Sequence, residues 1–151
     1  MSSHQKFAPV LQLKRKVTLL ERPTPEFTLD VEKRVVRVAF EGIVTVDDIA
    51  RYAKRLLAHR DFQPTFSEIT DLREVSELNL QANDFLRLAD KVDPFWPEAK
   101  RAFVVRTEVQ NHAARMHKIL RSERKIEIFR SLEAAENWIS QQREVSNESC
   151  D

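Results

Sequence analysis

Glycine is almost missing from this chain: Gly42 is the only one in 151 residues. Dinucleotide fingerprints, phosphate-binding P-loops and nucleophile elbows use glycine so that backbone can approach phosphate or turn sharply, and none of them can be written here. Cysteine is as scarce. Cys150, next to the C-terminus, stands alone, which excludes a disulfide framework, and no Cys/His spacing matches a zinc site. No cofactor and no metal are expected. Long apolar runs are missing too. The stretch from Met1 through Phe7 to Lys14 holds too few apolar residues in a row for a signal-peptide core or a membrane span, so the expectation is a cytoplasmic protein without an integral membrane segment. Nor does one sign of charge prevail. With 25 basic and 24 acidic side chains the net charge is +1, and that balance offers no global field to nucleic acid or to an anionic membrane.

What is present suits one folded domain. Hydrophobic residues make up 42% of the chain and charged residues 32%, a mix that argues against disorder. The length allows a single well-buried core and is short for two. Residues 1–24 are polar, basic and punctuated by Pro9 and Pro23, with Pro25 directly after them. They read as an extended or flexible segment in which Val17, Leu19 and Leu20 could add an edge strand. From Glu26 the pattern sharpens. Phe27 and Leu29 alternate with polar residues, and after a turn at Glu32-Lys33 the residues Val36, Val38 and Phe40 share one face, the period-2 signature of an antiparallel hairpin. Glu41-Gly42 is expected to end the second strand.

Thr45-Val-Asp-Asp then has the spacing of a helix capping box. Val46, Ile49, Tyr52, Ala53, Leu56 and Leu57 follow at helical intervals, with Asp47, Arg51, Lys54 and Arg55 opposite. Phe66 to Asp71 reads as a strand, Arg73 to Asn79 as a loop, and Ala82 to Val92 as a helix with Phe85, Leu88, Ala89 and Val92 on one stripe. Pro94 and Pro97 bracket Phe95-Trp96 in a stiff connection. Arg101-Ala-Phe-Val-Val-Arg has the apolar centre of a buried strand. Thr107-Glu-Val-Gln repeats the capping logic ahead of a stripe of Val109, His112, Ala113, Met116 and Leu120. Lys125 to Arg130 alternates as a last strand. Ser131 caps a final helix that turns Leu132, Ala135, Trp138 and Ile139 inward, and residues 142–151 read as a disordered polar tail. Strands alternating with helices imply right-handed crossovers and a mainly parallel sheet.

With these elements in order, the chain resembles the SpoIIAA-like branch of the STAS superfamily. Four stretches carry the likeness: Arg34 through Asp48, Ile-Thr-Asp-Leu-Arg around Asp71, Arg101-Ala-Phe-Val-Val, and Lys125 through Ile139, where a strand ending in Phe leads into a capped helix with Ala and Trp-Ile at fixed offsets. Together they span residues 27–139. The resemblance implies an α/β fold with a mixed, mainly parallel sheet of about five strands and four helices, in a domain over residues 25–141. It also implies non-enzymatic work. STAS domains resemble anti-sigma-factor antagonists, which dock to a protein partner and are switched by phosphorylation of a serine in an Asp-Ser-Ser-Gly motif. Laying Asp71 on the family's aspartate puts Asn79-Leu80-Gln81-Ala82 at that motif, with no hydroxyl to carry a phosphoryl group. The serine switch is therefore not expected here. The SpoIIAA-like branch is also similar in fold to CRAL-TRIO lipid carriers, which implies an apolar ligand as the alternative.

Several constellations have both a functional and a plain reading. His112 and His117 are five apart and diverge by about 140° on a helix, so a zinc pair is disfavoured, and His112 on the apolar stripe with Met116 reads as a core or pocket-lining residue. Asp71 and Arg73, at the carboxyl end of a strand, stand where open α/β sheets place ligands, but a local salt bridge explains them as well. Arg115, Lys118, Arg121, Arg124 and Lys125 form the most basic segment; Arg115 and Lys118, three apart, could make a patch for phosphate or an acidic partner, but a solvated face near a helix C-terminus is the favoured reading. Phe95 and Trp96 could anchor a partner, lid a pocket or plug the core. The candidate binding residues are Asp71, Arg73, Leu80, Phe95, Trp96, Thr107, His112 and Met116, with no catalytic and no metal residue. The partner expected is a regulatory protein or an apolar small molecule, with room for a homodimer. The rival is an enzyme that uses Asp71 and His112, which requires the two within hydrogen-bond reach in a polar cleft.

Overall fold

The computed structural model describes residues 25–81, 83, 84, 87 and 93–150, with side chains as far as residue 141. Five strands form one sheet: β1 (Phe27–Asp30), β2 (Val35–Thr45), β3 (Ser67–Asn79), β4 (Lys100–Val104) and β5 (Lys125–Phe129). Helix α1 (Val46–Ala58) follows β2, α2 (Glu108–Leu120) follows β4, and α3 (Leu132–Cys150) follows β5. The strands lie side by side in chain order. β1 pairs antiparallel with β2, and every later pair is parallel. The expected mixed, mainly parallel sheet is thus present.

Local chemistry sets the helix starts. Thr45 and Asp48 form a capping box, in which the Thr45 hydroxyl accepts from the Asp48 N–H and Asp48 accepts from the Thr45 N–H at 2.9 Å. Thr107 and Gln110 do the same for α2, and the Ser131 hydroxyl accepts from the Ala134 N–H at 3.1 Å to cap α3. Each cap satisfies backbone donors that the first helical turn leaves orphaned. Of the helix expected over 82–92, residues 83, 84 and 87 are helical. Phe85, Leu88, Ala89 and Val92 lie outside the described residues, as does the edge strand expected around Val17, Leu19 and Leu20.

Strand alternation splits the core in two. On one face, Val36, Val38 and Phe40 of β2 pack with Tyr52 and Leu56 of α1 and Ala114 of α2; on the other, Val35, Ile69, Ala102 and Val104 pack with Ala135 and Ile139 of α3. Period-2 side-chain placement makes each strand serve both layers.

Three boundaries differ from the sequence reading. β2 does not stop at Glu41-Gly42. Gly42 adopts φ +69° and the strand runs on to Thr45, because only glycine takes this backbone turn without strain. β3 does not give way to a loop at Arg73. It continues to Asn79 with register shifts against β2, so that Ala39 faces Asp71, Glu41 faces Glu74, and Ile43 faces Glu77. The extra residues in β3 are bulges, which break the alternation that period-2 reading relies on. α3 runs to Cys150, past the tail expected from residue 142, and its last third has neither glycine nor proline to end it.

Candidate functional site

The sheet face beneath α1 and α2 is not fully packed. It holds a cavity of about 110 Å³. β2 contributes Phe40 and Val44, and β3 contributes Glu68, Thr70 and Leu72 from successive inward positions. β4 adds Arg101 and Phe103, α1 adds Ile49, Tyr52 and Ala53, and α2 adds Ala113, Ala114 and His117. Among the described residues, Leu78, Leu80, Asp93 and Pro94 also line it. Most of this lining is apolar. The exception is one end, where five polar groups converge.

Glu68 and Arg101 are direct cross-strand partners in the β3–β4 register. The Arg101 guanidinium donates to Glu68 Oε1 at 2.9 Å from Nε and reaches Asp93 Oδ2 at 2.9 Å from Nη1. It lies over the Phe95 ring, 4.8 Å from the centroid. The Tyr52 hydroxyl donates to Glu68 Oε2 at 2.5 Å. Arg124 approaches Asp93 at 3.3 Å and donates to the Phe95 carbonyl at 2.8 Å. These side chains are buried: Glu68 is 2% exposed, Asp93 5% and Arg101 10%, so the charges must be balanced inside the fold.

The burial has electrostatic consequences. For Arg101, burial disfavours the charge, but Glu68 and Asp93 more than compensate and raise its pKa. Burial, with the neighbouring charge and hydrogen bond of Glu68, pushes the Tyr52 phenol well above its usual value, so it stays a donor. Burial lowers the His117 imidazole to about 3, helped by Arg101, Arg121 and Arg124 against the opposing pull of Asp93. His117 is therefore neutral at physiological pH. Its ring meets Phe103 edge-on at 5.5 Å.

Of the sequence-derived candidates, Leu80 lines the cavity. Phe95 and Trp96 part company: Phe95 is 2% exposed within the core, whereas Trp96 is 56% exposed. Asp71 and Arg73 form a fork-like ion pair within β3, with Arg73 Nε and Nη2 donating to the two Asp71 oxygens at 3.0 and 2.9 Å. Burial works against the Asp71 charge, yet the hydrogen bonds and charge of Arg73 outweigh it and hold the carboxyl below its ordinary value. Thr107 serves as the α2 cap. His112 is exposed and Met116 half-buried, because α2 is turned away from its apolar stripe. The residues it buries are Gln110 and Ala114, with Arg121 just beyond its end, while Val109 and Ile119 are exposed. Gln110 explains the rotation. Its amide donates to the Arg73 and Val75 carbonyls at 3.2 and 2.7 Å, groups that lie beyond the last β3–β4 pair, Asp71 with Val104. His117, two turns beyond Gln110, is the histidine at the cavity.

Sequence reasoning missed Glu68, Asp93 and Arg101. The available signal was Glu68 in line with Thr70 and Leu72, a charge at an inward position of a central strand, which needs a partner of opposite sign. Among the described residues no group of His, Cys, Asp and Glu could hold a metal ion, and no helix is long and apolar enough to cross a membrane.

Fold and site together define a layered α/β domain with a void of about 110 Å³ over a buried ion cluster. The solved structure of an uncharacterised DUF3478-family protein from Shewanella loihica PV-4, described as having a SpoIIAA-like fold, is similar: 19% identical, covering 76% of this chain and 91% of that one, with a TM-score of 0.56. The chain has a SpoIIAA-like, STAS-type fold. No family model matches the sequence, and no curated protein matches it.

Proposed function

We propose that this chain is a binding domain without chemistry of its own, which receives a small, mainly apolar molecule between its sheet and helices α1 and α2. The cavity at that place carries the reading, since the default ligand site of a fold is its concave apolar pocket with a few convergent polar groups. The non-enzymatic part is supported by the state of the candidate groups. Asp71 is committed to Arg73, His112 is exposed on α2, and no hydrogen bond joins them. In the cavity, Tyr52 is held as a donor and His117 is a very weak base, so neither suits proton transfer near neutral pH.

Docking to a regulatory protein partner, without the serine switch, is the second reading. A different observation favours it: Val109 and Ile119 project from α2 at 63% and 68% exposure. Ile119 also lines an open groove with Ile128 and Phe129, flanked by Arg115, Lys118 and Arg130. Exposed apolar residues beside a groove are a usual mark of contact surfaces.

Native mass spectrometry of the chain purified without heat or organic solvent separates the two. The first reading expects a retained small mass that disappears in Ala53→Phe, whose ring fills the cavity. No retained mass, together with a co-purifying polypeptide released by Ile119→Asp, selects the second.

A further inference from the structure

We propose that the cavity selects a small uncharged ring, aromatic or alicyclic, with at most one hydroxyl or carbonyl group, and rejects both charged isosteres and fatty chains. This rests on the reading of the cavity as a ligand site and adds to it the class of ligand.

Size comes first. At about 110 Å³ the void is somewhat smaller than an engineered dry cavity of about 150 Å³ that takes benzene. It is well below the roughly 300–1,000 Å³ of pockets for drug-sized ligands. The space matches a single six-membered ring, about six to eight non-hydrogen atoms with slight yielding of the walls, and a ten-carbon acyl chain exceeds it. The lining also has shape: the rings of Phe40, Tyr52 and Phe103 come from three different elements around the space, and flat faces and edges of this kind pack well against another ring.

Charge decides the rest. The polar end contains two carboxylates, Glu68 and Asp93, and the Arg101 guanidinium, already joined to one another, with Arg124 behind Asp93. A ligand carboxylate could bind Arg101 only by displacing Glu68 or Asp93, which would leave a buried carboxylate without its cation. A ligand ammonium would strand a guanidinium in the same way. Breaking a buried pair costs far more than the new contact returns. His117 does not help an anion, because it stays neutral above pH of about 3. An uncharged hydroxyl or carbonyl meets no such conflict. Thr70, on the same wall and 5% exposed, has a hydroxyl able to donate or accept.

The test is calorimetric titration of the full chain with p-cresol, benzoate, benzylamine and decanoate, alongside Ala53→Phe and Leu78→Ala. The proposal expects saturable p-cresol binding, with benzoate and benzylamine weaker by at least about a hundredfold and decanoate not bound. Ala53→Phe should abolish cresol binding. If that variant does not melt cooperatively, Leu78→Ala, which enlarges the space, should shift preference from p-cresol to 2-naphthol. Benzoate or benzylamine binding as well as cresol overturns the charge selection, and decanoate binding more tightly overturns the size selection. Either result leaves the small-molecule reading standing. Failure of all four probes to bind overturns both.

Discussion

Glu68 and Arg101 face each other across β3 and β4 with almost no access to water, so each depends on the other for its charge to be tolerable. Replacing Arg101 by leucine strands Glu68 and leaves Asp93 with Arg124 alone. The expected loss is about 3–5 kcal/mol, read from urea melts. Glu68→Leu together with Arg101→Leu should cost less than the sum of the single changes, because the pair is removed as a unit. His117 makes a pH-dependent contribution of definite sign. In the unfolded chain its imidazole takes a proton near pH 6.5, whereas in the fold it does so only near 3. The unfolded state thus binds more protons across that window, and stability should fall as pH drops from about 6.5 towards 3. His117→Phe should show a shallower decline over the same range in a series of melts. A decline identical to that of the parent would remove His117 from the account.

Among the elements, α2 departs furthest from its own sequence pattern. Val109 and His112 of its apolar stripe face outward because Gln110 is drawn under it to satisfy β3 carbonyls beyond the end of the β4 pairing. Gln110→Leu would leave the Arg73 amide carbonyl with Arg106 and the Val75 carbonyl without this donor. It should cost about 1–3 kcal/mol in a denaturant melt, more than an exposed helix residue would. Gly42→Ala should cost about 1 kcal/mol. An added Cβ there meets nothing within 4 Å, so the loss comes from the φ of +69° alone. The same features mark what sequence could and could not convey. Thr45, Thr107 and Ser131 announced their helices, because capping is a contact between residues three apart. The hairpin of β1 and β2 was equally plain in Phe27, Leu29, Val36 and Val38. The bulges of β3 and the turning of α2 depend on pairing between distant segments, and a period-based reading assigns His112 to the place that His117 occupies. The cavity floor was hidden for the same reason: Glu68 and Arg101 are 33 residues apart and meet only through strand register, and Asp93 joins them from the segment ahead of β4.

Across the whole molecule, the two faces of the sheet differ in kind. The face under α3 is closed with small and branched side chains such as Ala102, Ala135 and Ile139, and Arg37 ties β2 to Glu136 of α3 at 2.6 and 2.8 Å. The face under α1 and α2 carries the void and the ion cluster. A domain that closes one face firmly and leaves space on the other is suited to holding a guest, and the central claim is that the space accepts apolar matter. Xenon-pressure NMR tests it most directly, since xenon enters dry apolar cavities regardless of ligand identity. The methyl signals of Ile49, Leu72 and Leu78 should shift saturably with xenon, while those of the surface residues Val31 and Val109 change only linearly and slightly. Equal, linear responses at all five residues would mean that no such space exists, and the binding account would fall with it.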